Sequence, residues 1–207
     1  CLARNAGLAR ATGELLVFHD ADDRLLPHAL EIGAAELEAR SGSPLERVVF
    51  GVIDLETTGL SPGACRILEI GAVALQGSRV IGTFGSLVDV GGPVPSGITA
   101  LTGIDDAMVA DAPTFDMAAD AILTALAGRV FVAHNVRFDY GFIRTELRRA
   151  GHAFSAPQVC TVRLSRHLYP DGGRHNLDSV MERHGIRSQT RHRALPDARI
   201  LAKFWAV

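Results

Sequence analysis

Three strand-like runs follow one another in the middle of this 207-residue chain, VVFGVID, RILEIGAVALQ and RVIGTFGSLVDV, and they restrict its fold more than any other feature. Turn-like TTGLSPG and QGS separate them, which predicts an antiparallel meander. A Gly- and Pro-rich connection, GGPVPSG, then leads into mostly helical sequence. PTFDMAADAILTALAG has helical periodicity, RVFVAH reads as a short buried strand, VRFDYGFIRTELRRAG as an amphipathic helix, and NLDSVMERHG and ALPDARILAKFWAV as two more helices. The expected class is α/β with a mixed sheet. Upstream, SGSPLE at residues 41–46 breaks the pattern. Before it, RNAGLARATG reads as a helix stopped by Gly13, ELLVFHD as a strand, and LPHALEIGAAELEAR as a helix. The expected organisation is a separate αβα segment over residues 1–45 and one domain over 46–207.

That division suits the length, which allows one good-sized domain, alone or with a remnant of another. The composition, 47% hydrophobic and 21% charged, is ordinary for a soluble globular protein. No apolar stretch nears the roughly 18 residues of a membrane-spanning helix, so no membrane partner is expected. Cys1, Cys65 and Cys160 are far apart, with no CxxC pair, which predicts a reduced, cytoplasmic compartment. The chain opens with Cys, without a signal-peptide pattern, and stops inside a helical pattern, so both ends read as truncated. The net charge of −2 conceals an asymmetry of −10 over residues 1–128 and +8 over residues 129–207. Within the basic half, Arg163, Arg166, Arg174, Arg187, Arg191 and Arg193 can hold a phosphate backbone, or simply be solvated surface.

The chemistry lies in four acids and a histidine. Asp54 and Glu56 stand two apart at the end of an apolar strand, so both project from one face. D-x-E alone is weak, but nothing polar in VVFGVI accounts for two acids there, and buried charges need a partner. Asp139 falls in the first turns of the helix after RVFVAH and can point back to the same end of the sheet; taken alone it is a favourable first-turn acid. His134 and Asn135, on the intervening turn, can donate hydrogen bonds to a phosphate or sugar. Pro196 is tolerated in the first turn of the last helix, so Asp197 faces inward from its start while His192 rides on a mobile loop before it. Hard oxygen donors in this number suit two Mg²⁺ or Mn²⁺ ions, and a histidine can take a proton from an attacking water near neutral pH. His19, His28, His152, His167, His175 and His184 are assigned no role.

DLETTGL, AHNVRFDYGF and HRALPD, in this order and spacing, resemble the three exonuclease motifs of the DnaQ-like, or DEDDh, superfamily of 3′-to-5′ exonucleases. The resemblance runs from about Arg47 to the C-terminus, taking in ITALTGI and CTVRLSR, and is strongest to the epsilon-type proofreading subunits of bacterial DNA polymerase III. It implies a ribonuclease H-like αβα sandwich with a five-stranded sheet. It also implies two divalent ions held by Asp54, Glu56, Asp139 and Asp197, with His192 as the base. Thr57, Thr58, Gly59 and Leu60, the segment with Ile98, Leu101 and Thr102, and Phe138 of the second motif would hold the terminal nucleotide. On the residues alone, Leu60 and Leu101 can equally be core. The implied reaction removes nucleoside monophosphates from single-stranded or frayed 3′ ends of DNA, with a replicative polymerase subunit as a possible partner.

RNAGLARATGELLVFHDADD resembles the middle of a family 2 glycosyltransferase, in which Asp20-Ala21-Asp22 would bind a metal and a nucleotide-sugar diphosphate. Only one αβα piece is covered, so the segment reads as a remnant and sugar transfer is not carried over. The alternatives for the rest of the chain are an exoribonuclease of the same superfamily and a non-catalytic module docking to a polymerase.

Overall fold

The computed structural model describes residues 48–205. The elements and the DADD run read over residues 1–40 lie outside the described residues. β1 (Val49–Thr57), β2 (Ile67–Gln76) and β3 (Arg79–Leu87) form the expected meander, antiparallel at both pairings. Next come α1 (Ser96–Thr102), α2 (Asp106–Val109), α3 (Phe115–Leu126), β4 (Val130–Ala133) and α4 (Val136–Arg149). β5 (Gln158–Cys160), α5 (Thr161–Leu168), α6 (Leu177–Arg183) and α7 (Ala194–Trp205) complete the described chain. Among the described residues, five strands make one mixed sheet in the order β3-β2-β1-β4-β5, with β4 parallel to both β1 and β5.

The alternation of β1 divides the core into two layers. Ile53 and Leu55 face Phe115, Ile122, Phe142, Ile143 and Leu147 of α3 and α4. Phe50 and Val52 face Ala198, Ile200, Leu201 and Ala202 of α7, together with Leu177 of α6. Each large apolar side chain fully buried this way stabilises the fold by about 1.5–3 kcal/mol. Asp54 and Glu56 follow Phe50 and Val52 at period two, so they belong to the α7 face of the sheet. Phe50 packs against Trp205 at 4.8 Å between ring centroids, which sets the far end of α7 over the start of β1. The N-terminus of α7 therefore arrives where β1 carries its acids.

Two glycines admit it. A Cβ on Gly71 of β2 would lie 2.2 Å from the Ala194 carbonyl carbon and the Leu195 nitrogen, backbone atoms with no freedom to give. Gly85 of β3 is the ladder partner of Gly71 and lies under the Leu195 side chain. Gly71 in turn pairs with Asp54. A side chain missing from β2 thus brings the last helix up against a functional acid on β1.

α1, α2, β5 and α5 are absent from the elements read out of the sequence. β5 and α2 span three and four residues, too few for periodicity to register. No helix among the described residues is long and apolar enough to cross a membrane.

Candidate active site

Four elements meet at the C-terminal end of β1. Pairing between β1 and β4 ends at Val52 opposite Val132, and the Leu55 backbone N–H, beyond that point, donates to the Asp139 carboxylate. Asp139 sits in the first turn of α4, only 4% exposed. Asn135, in the left-handed region at φ 70°, makes the sharp turn from β4 into that helix. Asp197, also 4% exposed, comes from the first turn of α7. One of its oxygens, Oδ2, accepts from the Arg191 guanidinium and, at 3.1 Å, from the His192 backbone N–H. The other, Oδ1, is buried without a hydrogen-bond partner. A carboxylate oxygen in that position calls for a cation.

The electrostatics agree. Burial raises the Asp54 carboxyl well above the usual carboxylate range, and Asp139, Asp197 and Glu56 add to the rise. Glu56 is pushed up to about 7 by burial, then by Asp197 and Glu69, with Arg191 and Arg193 opposing. Asp139 is raised chiefly by burial and further by Glu56, against the hydrogen bonds from backbone N–H groups. Crowded acids without compensating charge hold their protons; a divalent cation releases them. Glu56, His192 and Asp197 each offer a ligand atom, and these atoms lie within 4.8 Å of one another. Oxygen donors of this kind suit a hard divalent ion, so the residues fit the metal expected of them. Glu56, His192 and Asp197 thus stand within one ion's reach, and Asp54 and Asp139 lie near enough to Glu56 to share in raising the carboxyls.

The loop carrying His192, read as mobile, is pinned. His192 holds φ 57°, a conformation that non-glycine residues seldom adopt. On its one side Arg191 bridges Asp197 and Asp178, with 3.0 and 2.9 Å bonds to Asp178 Oδ1. On the other, Arg193 grips Glu69 with both ends of its fork, at 2.9 and 2.7 Å. Glu69 Oε2 also accepts from the Ala194 N–H at 2.8 Å, satisfying a free donor at the start of α7. Glu69 is the ladder partner of Glu56 and is 8% exposed. Sequence reading passed over Glu69 and Gly71, and it read Arg191 and Arg193 as phosphate-backbone candidates where the structure pairs them with acids of this chain. The available signal was Glu69 itself, a lone acid inside the apolar strand ILEIGAVALQ, since such a charge needs a partner.

The nucleotide-binding candidates divide. Leu60 and Leu101 are 85% and 54% exposed, so neither belongs to the core. Leu60 stands on a β1–β2 turn braced by Thr58, whose Oγ1 accepts from Arg66 N–H at 2.9 Å, and by Thr57, whose hydroxyl donates to the Gly59 carbonyl. Arg66 ties this turn to buried Glu146 of α4, and Arg149 of the same helix donates to the Gly63 carbonyl at 2.7 Å. Gly59 leaves room for the Cys65 sulfur, 2.7 Å from where a Cβ would stand. Ile98 packs beside Leu68 and Ile104, and buried Thr102 spends its hydroxyl on Ile98 O and Ile104 N. Phe138 packs its ring at 4.9 Å and a 52° tilt against Phe142 at the core's margin. His134 bonds Thr161 Oγ1 at 2.9 Å, and burial lowers its imidazole to about 4, so near neutral pH it is uncharged. Of the six arginines proposed for a phosphate backbone, Arg166, Arg174 and Arg187 are exposed and Arg163 is half-buried, whereas Arg191 and Arg193 are engaged by acids. A cleft of about 410 Å³, lined in part by Arg129, Phe154 and Pro157, opens at the opposite end of the sheet, away from these carboxylates.

The chain is similar to known proteins. Residues 52–204 match the family described as Exonuclease (RNase_T), and residues 2–50 match Glycosyl transferase family 2. The DNA polymerase III PolC-type protein of Caldanaerobacter subterraneus subsp. tengcongensis is 39% identical over 156 residues, 75% of this chain and 11% of the relative. The 3′-5′ exonuclease DinG of Bacillus subtilis is 36% identical over 153 residues, 73% of this chain and 16% of the relative. A Mycobacterium tuberculosis protein named as a bifunctional exonuclease/endonuclease is 38% identical over 205 residues, 94% of this chain and 30% of the relative. That share exceeds what residues 52–204 supply, so the alignment takes in part of the N-terminal segment. The chain thus spans under a third of the length of each of these relatives. The solved structure of exonuclease X with 5′ overhanging duplex DNA is 28% identical with a TM-score of 0.59, covering 76% of this chain and 89% of that one. The sandwich is the ribonuclease H-like fold.

Proposed function

The chain belongs to the exonuclease family over residues 52–204, and from that premise we propose that residues 46–207 form a metal-dependent 3′-to-5′ exonuclease domain acting on DNA ends. The observation that carries this reading is the convergence of Asp54, Glu56, Asp139 and Asp197 beside His192, with Asp197 Oδ1 buried and unpartnered. Those four acids would hold two divalent cations, Mg²⁺ or Mn²⁺, which when bound supply Lewis-acid activation of water and neutralise charge on the departing 3′ oxygen. Asp54 and Glu56 bind from the strand, Asp139 and Asp197 from two helix starts, so the set is held by the sandwich itself. His192 takes the proton of the attacking water, its ring aimed by the pinned loop. The exposed Leu60 and Leu101 pack against the terminal base without reading its identity, while Asn135 reaches the sugar or phosphate. The product is a nucleoside monophosphate.

The polarity is supported by the relative named as a 3′-5′ exonuclease, and a DNA substrate by the DNA in the exonuclease X structure. Similarity to a PolC-type polymerase supports association with a replicative polymerase, and such a partner implies the cytoplasm. Residues 1–45 are a partial glycosyltransferase-like segment outside this domain, in line with the family 2 match there. The test is end-labelled, sequence-matched DNA and RNA incubated with the chain, with and without Mg²⁺. DNA is expected to shorten from its labelled-strand 3′ end only when metal is present. Preferential loss of RNA would replace this reading with an exoribonuclease, and binding to a polymerase without any cleavage would replace it with a docking module.

A further inference from the structure

We propose that Glu69 is a positioning residue for the reaction: through its fork with Arg193 and its bond to the Ala194 N–H, it fixes the backbone at His192 and so aims the imidazole at the attacking water. This inference rests on the reading of His192 as the base. Glu69 does three things at one spot. It neutralises the guanidinium of the residue after His192 with two bonds, it satisfies a free donor at the first residue of α7, and it stands in ladder register with Glu56. The β2 strand thereby acts as the reference against which both the acids of β1 and the loop of the histidine are set.

The geometry is over-determined, as a strained conformation requires. His192 at φ 57° costs energy relative to extended or helical backbone and persists only where its flanks are held. The N-terminal flank is held by Arg191 on Asp178 and Asp197, and the His192 N–H is itself bonded to Asp197 Oδ2. The C-terminal flank depends on Glu69, because the neighbouring Gly71 offers α7 close contact but no polar anchor. Removing the carboxylate leaves the Arg193 guanidinium and the Ala194 N–H without their acceptor. The loop can then relax toward ordinary backbone values, turning the imidazole, while the four acids keep their own supports.

The test compares Glu69→Gln, Arg193→Lys and His192→Ala, singly and with each of the first two placed in the His192→Ala background. Three quantities are read: kcat and KM on labelled DNA, and Mn²⁺ affinity by titration calorimetry without substrate. Glu69→Gln and Arg193→Lys are expected to lower kcat about 10- to 100-fold, the range for groups that orient a functional residue. KM and Mn²⁺ affinity are expected to change by less than about threefold, and neither substitution is expected to lower kcat further once His192 is gone. Arg193→Lys, at a half-buried position, carries the test if Glu69→Gln does not fold. Retention of kcat within twofold in a folded variant would overturn the inference, as would an additional loss in the His192→Ala background or a parallel loss of Mn²⁺ binding. Full activity of His192→Ala alone would instead remove the assignment of the base, an outcome distinguishable from the others.

Discussion

Asp197 presents one oxygen to Arg191 and His192 N–H and keeps the other buried without a partner, so its two halves have separate duties. Asp197→Asn keeps the shape and removes the charge; turnover is expected to fall by more than about 100-fold, exceeding the 10- to 100-fold typical of groups that merely orient ligands. The loss should appear in kcat, with Mn²⁺ affinity reduced in parallel by calorimetry. The crowding of acids also gives a pH dependence of defined sign. A carboxyl raised in the folded state holds a proton that the unfolded chain has released, so its contribution to stability is present at low pH and lost as pH rises. For Glu56 the loss runs from its ordinary 4.5 through about 7. His134 acts in the opposite sense: lowered to about 4, it contributes above 6.5 and the contribution is lost as pH falls. Comparing Tm with and without Mn²⁺ at each pH cancels His134 and isolates the acids. The Mn²⁺-induced rise in Tm is expected to be larger at pH 8 than at pH 5.5, and equal rises would contradict the cluster. At this scale Asp54 and Glu56 were legible from strand alternation, which sets both on one face, whereas Asp139 and Asp197 joined them through the resemblance of the three motifs. Glu69 and Arg193 were not, because their contact joins residues 124 positions apart.

Among the elements, α7 is set by a gap. Gly71→Ala would drive a Cβ into the backbone of Ala194 and Leu195, so the helix must move off the sheet. An expected cost of about 3 kcal/mol follows from overpacking against atoms that cannot give. Gly63, where an added methyl would meet nothing within 4 Å, is the control: Gly63→Ala should stay within about 0.5 kcal/mol. Urea denaturation of the two variants checks the contrast, and equal midpoints would contradict the contact. The meander and the long helices α3, α4 and α7 were readable from alternation and 3.6-residue periodicity. β5 and α2 were not, since three and four residues carry no period and form only because neighbours offer pairing or packing. The close seat of α7 was hidden for another reason: a glycine in a strand announces a close approach without naming what approaches.

For the molecule as a whole, the domain boundary at residue 46 and the reaction both come to trial. A chain of residues 46–207 is expected to fold and to keep its metal-dependent nuclease activity within about threefold of the full chain, because both core layers and all five site residues lie within it. Loss of cooperative unfolding on excision would mean that the first forty-five residues complete the domain, as their inclusion in one relative's alignment allows. The charge asymmetry, legible from counting alone, finds its partial explanation here: acids of this chain draw Arg191 and Arg193 inward, while Arg166, Arg174 and Arg187 stay exposed. The most direct trial of the central claim uses duplex DNA with a frayed 3′ end, labelled at the 5′ end, incubated with the wild-type chain and with Asp54→Asn in Mg²⁺ or EDTA. A ladder shortening from the 3′ end, accompanied by nucleoside monophosphates, present only for wild type in Mg²⁺, is the predicted result. Equal degradation by Asp54→Asn, or by wild type in EDTA, would contradict it.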